Sequence, residues 1–231
     1  MTRQRDTFLS SEGDGFFDRN RAALSPDRDR PSTSRLIEFL RAADATIRHA
    51  TEVGCGNGAE LVKLCAALGC EGTGIEPSAR AVADGNRMAI ELDQAMTLVR
   101  GTAECLPLAD ESTDLLLFGF CLYLVDRHHL LPAMAEAHRV LKPGGFLAIV
   151  DFDPSQPHRR IYAHHEGLWS YKQDYARIPL ATGLYSLAAK TPLSHSGAGF
   201  GEDPDERIAL TVLYKEPAPY ALWSSAKTTA D

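Results

Sequence analysis

Between residues 50 and 151, short apolar runs ending in glycine or an acid alternate with longer runs of helical period. No other feature of this 231-residue chain limits its fold as much. Strands are expected at 50–53, 72–75, 96–100, 114–119 and 146–151, with helices at 59–68, 79–92 and 130–141. Pro77 and Ser78 signal the second of these helices, and Pro143-Gly144-Gly145 makes a turn before the last strand. Strands separated by helices need crossovers, and crossovers give a parallel sheet covered on both faces. The Leu115-Leu116-Leu117-Phe118 run fits a strand buried on both sides.

Outside this block the pattern changes. Residues 1–30 are charged and broken by Gly13, Gly15 and Pro26, with Phe16 and Phe17 needing somewhere to pack. A helix is expected from Pro31, capped by Ser34 and carrying Leu36, Ile37, Leu40 and Ala43. In the last third, 164–175 reads as helical, and 184–190 and 207–215 read as two strands with no helix between them. Consecutive strands of this kind form an antiparallel hairpin at a sheet edge. The expected fold class is therefore α/β, a doubly wound, mostly parallel seven-stranded sheet with an antiparallel C-terminal hairpin strand. It divides into a segment 1–30, a main domain 31–216 and a tail 217–231.

Composition narrows the functions open to such a chain. With 31 acidic against 24 basic side chains, the net charge is -7, the wrong sign for a general phosphate binder. The arginines of the 19–35 region are interleaved with Asp18, Asp27 and Asp29, as on a solvated face. The 5 cysteines are odd in number and form no CxxC pair, which suits reduced thiols in a cytoplasmic protein. No apolar run reaches the roughly 18 residues that span a bilayer, and Met1–Ser10 lacks an apolar signal core. Neither nucleic acid nor a membrane is expected as a partner. No metal site is expected either, because the pairs His128-His129 and His164-His165 are adjacent in sequence and diverge on a helix.

The chemistry centres on Glu52-Val53-Gly54-Cys55-Gly56-Asn57-Gly58, between a predicted strand and helix. Glycines there allow a sharp turn and let a ligand lie against bare main chain at a helix N-terminus. Glu76 ends the next strand, 18 residues after Gly58, where an acid commonly accepts both hydroxyls of an adenosine ribose. Taken alone the loop is ambiguous. Gly54, Gly56 and Ala59 also satisfy a loose dinucleotide fingerprint, and three glycines can make a turn that binds nothing.

Three segments in order carry a more specific resemblance. Glu52–Gly58 resembles the ExGxGxG first motif of class I S-adenosylmethionine-dependent methyltransferases. Gly101-Thr102-Ala103-Glu104-Cys105-Leu106-Pro107 is similar to that family's GxAExLP segment, and Arg139-Val140-Leu141-Lys142-Pro143-Gly144-Gly145 to its RxLKPGG segment. The resemblance covers about residues 50–151 and implies a Rossmann-like sheet with S-adenosylmethionine as cofactor. It implies that Gly54, Gly56 and the adjoining Asn57 hold the methionine portion, with Glu52 near its amino group. Glu76, with Pro77 beside it, would bind the ribose; Thr102, Ala103 and Glu104 would border the adenine. Many relatives carry an acid where Thr102 stands. Phe118 and Gly119, at the end of the fourth strand, would lie beside the sulfonium, although core packing explains Phe118 equally well.

Candidates for a catalytic base lie on the same rim. Tyr123 stands where relatives often carry histidine, and a packed tyrosine is the competing explanation. Asp151 follows the fifth strand and could equally cap a helix. His165 belongs to an aromatic-rich stretch with Trp169, Tyr171 and Tyr175, and His195 lies in a polar loop that could simply turn the chain. The segment around Phe16 and Phe17 is expected to fold over the cofactor as a lid. The resulting expectation is an enzyme that methylates oxygen or nitrogen of a small molecule, in glycan or natural-product biosynthesis, with a second copy of the chain as a candidate partner. An NAD-dependent oxidoreductase and a non-catalytic cofactor-binding scaffold remain the alternatives.

Overall fold

Leu115, Leu116, Leu117 and Phe118 are all buried, and their strand lies at the middle of the sheet. The computed structural model describes residues 4–195, 200, 203 and 205–220. The strands of the main sheet are β1 (His49–Val53), β2 (Glu71–Glu76), β3 (Met96–Arg100), β4 (Thr113–Gly119), β5 (Leu141–Phe152), β8 (Tyr185–Ser194) and β9 (Arg207–Lys215). Their order is β3-β2-β1-β4-β5-β9-β8. The first five are parallel, and β9 is inserted antiparallel between β5 and β8.

The crossover helices are α4 (Ala59–Leu68), α5 (Ala79–Glu91) and α6 (Arg127–Val140), with α3 (Pro31–Ala42) leading into β1. Two apolar clusters cover the sheet. One packs α6 and the segment around Tyr175 and Tyr185 on one face; the other packs α3, α4 and part of α5 on the opposite face. A close approach holds α5 against the glycine loop. A Cβ at Gly85 would lie 2.4 Å from the Asn57 carbonyl oxygen and 2.3 Å from Leu98, so only glycine lets the helix sit there. Among the described residues, no helix is long and apolar enough to cross a membrane.

Five local expectations need correcting, the first being the turn at Pro143-Gly144-Gly145, which lies inside β5. Residues 164–175 are not a helix. They contribute to a separate antiparallel hairpin of β6 (His158–Ile161) and β7 (Trp169–Lys172), followed by α7 (Arg177–Ala181). Trp169-Ser170-Tyr171-Lys172 alternates large aromatic and polar residues with period two, a strand signal inside a stretch whose aromatics also suit a helical face. The N-terminal stretch is not broken at Gly13 and Gly15, both of which lie in a helix; it forms α1 (Gln4–Thr7), a π-helical turn (Phe8–Glu12), α2 (Gly13–Asn20) and a 3-10 turn (Arg21–Ala23). Ser34 does not cap α3; Pro31 starts that helix after extended Arg30, and the Ser34 hydroxyl bonds Asp29 instead. Finally, β8 runs on to Ser194, well past the expected end at 190. Of the expected tail, residues 221–231 lie outside the described residues.

Candidate active site

Parallel strands deliver the ends of β1, β2 and β4 to one edge, and the cleft lies there, as the topology of such sheets requires. The β1–α4 turn opens with Gly54 at φ +73°, in the left-handed region that favours glycine. A Cβ at that position would stand 2.3 Å from Cys121 Cβ, so the turn closes against the chain leaving β4 only because residue 54 has no side chain.

Glu76 ties this turn to the end of β2. Its two carboxylate oxygens accept the Gly56 and Ser78 backbone N–H groups, each at 3.0 Å. Burial pushes its carboxyl up to about 7, against the pull of those two hydrogen bonds. Glu52 is buried beneath the loop, and burial together with the nearby Glu60 carboxylate holds its carboxyl well above the usual range. One Glu52 oxygen has no hydrogen-bond partner, and neither has Asn57 Oδ1 or Glu104 Oε1. Buried acceptors in that state are costly unless a ligand supplies donors, and here they flank the glycine turn and the cleft.

The cleft has an empty volume of about 770 Å³, open solvent at its mouth included. Gly54, Glu76, Pro77, Thr102, Ala103 and Glu104 of the residues named from sequence line it. Gly56 and Asn57 do not. Leu24 covers Gly56, and the Asn57 amide donates to Leu24 O and to Asp84, each at 3.0 Å. Phe118 is fully buried in the core, and Gly119 lies over the Glu52 carboxylate, so neither forms part of the lining.

None of the four proposed catalytic side chains lines the cleft. Tyr123 is buried against Phe120 and Phe152, and burial drives its hydroxyl to a higher pKa. Asp151 is buried as well, and its carboxyl is pushed up to about 7 by desolvation. Its oxygens accept the backbone N–H groups of Phe152 at 2.7 Å and Tyr123 at 3.2 Å, so it braces the turn that follows β4. His165 is exposed in the β6–β7 connection and bonds Glu166 O. His195 is exposed beyond β8, its ring stacked on Phe120 at 5.4 Å.

Much of the remaining lining comes from residues that, Phe16 apart, no local pattern marks. Arg5, Phe8, Gly13 and Phe16 come from the N-terminal helices, while Phe120, Cys121, Leu124, Val125, Asp126 and His129 follow β4. The N-terminal helices are held down by polar contacts. Asp14 accepts the Ser78 hydroxyl at 2.6 Å and Arg80 N at 3.1 Å, and the Arg5 amide donates to Asp126 at 3.1 Å. The Tyr162 hydroxyl donates to Glu12 at 2.9 Å. Phe16, on this segment, lines the cleft, whereas Phe17 packs into the core. Among the described residues no group of three or more His, Cys, Asp or Glu side chains could hold a metal ion.

A seven-stranded sheet with one antiparallel strand set between its fifth and last strands is the fold of the class I S-adenosylmethionine-dependent methyltransferases. Residues 51–149 match the model of the methyltransferase domain family, so a methyltransferase domain occupies the centre of the chain. A demethylmenaquinone methyltransferase of Staphylococcus epidermidis is 31% identical over 159 residues, which are 68% of this chain and 56% of the relative. The phthiotriol/phenolphthiotriol dimycocerosates methyltransferase 1 of Mycobacterium ulcerans is 32% identical over 140 residues, 55% of this chain and 47% of that one. The chain thus spans about half the length of these curated relatives. Among solved structures, the Burkholderia thailandensis 1,6-didemethyltoxoflavin-N1-methyltransferase, with 1,6-didemethyltoxoflavin and S-adenosylhomocysteine bound, has a similar fold. It aligns with a TM-score of 0.68 at 18% identity, over 92% of this chain and 87% of that one.

Proposed function

We propose that this protein transfers a methyl group from S-adenosylmethionine to oxygen or nitrogen of a small cytoplasmic molecule. The observation that carries the reading is Glu76, a buried carboxylate fixed by the glycine turn at the wall of the cleft, inside a methyltransferase domain. In this reading Glu76 accepts the ribose hydroxyls and Thr102, Ala103 and Glu104 border the adenine. Glu52, with its unpartnered oxygen, lies near the amino group and Gly54 beneath the methionine portion. When bound, the cofactor would supply an already activated methyl group, the acceptor's lone pair forming the new bond while the S–C electron pair stays on sulfur.

The protein's task is then to align the acceptor with that bond and to keep water away. Phe8 and Phe16 on the N-terminal helices, together with Phe120 and Leu124, supply an apolar enclosure for this. The segment 1–30 serves as the lid. Because Tyr123, Asp151, His165 and His195 lie outside the cleft lining, a base that takes the acceptor's proton is sought instead among Asp126, His129 and Glu104. The largely apolar wall favours natural-product chemistry over a glycan acceptor. The demethylmenaquinone, phthiotriol/phenolphthiotriol dimycocerosates and 1,6-didemethyltoxoflavin methyltransferases described above support a small-molecule acceptor.

Calorimetric titration with S-adenosylmethionine, S-adenosylhomocysteine and NAD, on the native chain and Glu76→Ala, tests the reading. Micromolar binding of the first two, lost in the variant and absent for NAD, is expected. NAD binding alone would make the protein an oxidoreductase, and binding without turnover on any acceptor would make it a scaffold.

A further inference from the structure

Five non-glycine residues adopt positive φ among the described residues: Asp44, Asp93, Glu111, Phe120 and Tyr220. Four are exposed turn residues. Phe120 is different, a bulky side chain half-buried at the cleft with φ +59°. Glycine would take this conformation freely, whereas an aromatic residue there is an outlier of the kind that collects at functional sites.

The ring's surroundings say what the strained position provides. Phe120 packs against Phe152 with centroids 4.9 Å apart, against Tyr123 at 5.1 Å and against the His195 ring at 5.4 Å and 24°. These three rings fix its orientation from behind, and it lines the cleft next to Gly54 and Cys121. Phe8 and Phe16 of the N-terminal helices line the same cleft. Among the described residues the lining's permanent cation is Arg5, whose guanidinium is engaged by Asp6 at 2.8 Å and by Glu104 at 3.7 Å. Glu76 is engaged by two backbone donors. The cleft therefore offers an acceptor a preformed aromatic face, a histidine at His129 whose Nε2 has no partner, and no unpaired permanent cation to neutralise a phosphate or carboxylate.

We infer that the methyl acceptor is a planar, uncharged, unsaturated ring compound that stacks on Phe120, making this residue the determinant of acceptor class. The inference rests on the methyltransferase reading, and its test separates the two. The native chain is saturated with S-adenosylhomocysteine and titrated with 1-naphthol and with its saturated counterpart decahydro-1-naphthol, which carries the same hydroxyl on a puckered skeleton. At least tenfold tighter binding of 1-naphthol is expected. Phe120→Leu, apolar but without a ring, should reduce that preference to twofold or less, while Phe120→Tyr retains it.

Equal binding of the two probes, no binding of either, or a preference that survives Phe120→Leu overturns the inference while leaving the methyltransferase reading intact. Failure of S-adenosylhomocysteine to bind the native chain overturns that reading itself. If Phe120→Leu does not fold, the probe comparison on the native chain and on Phe120→Tyr still decides.

Discussion

Replacing Glu76 by Gln tests the electrostatics and the proposed chemistry of the site together. Burial moves this carboxyl from its ordinary 4.5 to about 7. At about 1.4 kcal/mol per tenfold change in the equilibrium, ionised Glu76 leaves the folded state on the order of 3 kcal/mol less stable than it would be with the group protonated. The sign follows from proton binding. The folded protein holds this proton more tightly than the unfolded chain does, so the contribution is complete below pH 4.5, is lost as pH rises toward 7, and is constant above. Gln cannot ionise. It keeps one acceptor for the Gly56 and Ser78 N–H groups and turns a donor toward the other, a loss of about 1–3 kcal/mol at every pH. The variant should therefore be the less stable protein at pH 5 and should gain on the native chain by on the order of 3 kcal/mol between pH 5 and pH 8. Urea denaturation at four pH values, followed by tryptophan fluorescence, gives the difference directly. A gap that stays constant across this range would refute the claim that the carboxylate is desolvated. In the same samples S-adenosylhomocysteine affinity at pH 8 should fall about tenfold or more, since charge-assisted hydrogen bonds contribute about 1.5–3 kcal/mol each. Unchanged affinity would remove Glu76 from the cofactor site.

Gly54→Ala should destabilise the protein by several kcal/mol and abolish S-adenosylhomocysteine binding, since the new methyl would lie 2.3 Å from Cys121 Cβ at φ +73°; a variant with native melting temperature would contradict this. Asp151→Asn should cost about 1–3 kcal/mol of stability by unpairing an N–H of the turn after β4, with cofactor affinity within threefold. Loss of turnover at unchanged stability would return it to the catalytic candidates. His165→Ala, in the exposed β6–β7 connection, should leave melting temperature and S-adenosylhomocysteine affinity unaltered. Deleting residues 1–30 removes Phe8, Phe16 and the Asp14 contacts to Ser78 and Arg80, and should weaken S-adenosylhomocysteine binding at least tenfold by calorimetry. Native affinity in the deleted chain would exclude a lid.

The sheet and its crossover helices could be read from the chain alone because their signals are local. Helix α4 and strand β3 fall where the periodicity places them, and β1, β2, β4 and α5 differ from expectation by only a residue at an end. Apolar period, proline and glycine each report on their immediate neighbours. The glycine turn and Glu76 were legible for the same reason, since a strand end, a turn and a helix start are set within a few residues of one another. Where two periods overlap, as at Trp169 and Tyr171, local reading chose the wrong element.

Only the tertiary structure decided which side chains share the cleft. Phe8, Phe16, Phe120 and His129 come from segments far apart in the chain, and their convergence depends on the path of the N-terminal helices and the register of β4 against β1. Asp151, on β5, and Tyr123, in the 3-10 turn after β4, sit on the rim the sequence indicates, but the packing around them sets which way each side chain faces. Both are turned into the packing behind the wall. Phe120 is reached the same way, since a backbone angle that disfavours its own residue type leaves no trace in composition or spacing. What the chain's local chemistry determined was the scaffold and the cofactor loop; what packing decided was the surface presented to the acceptor, because that surface exists only where distant segments meet.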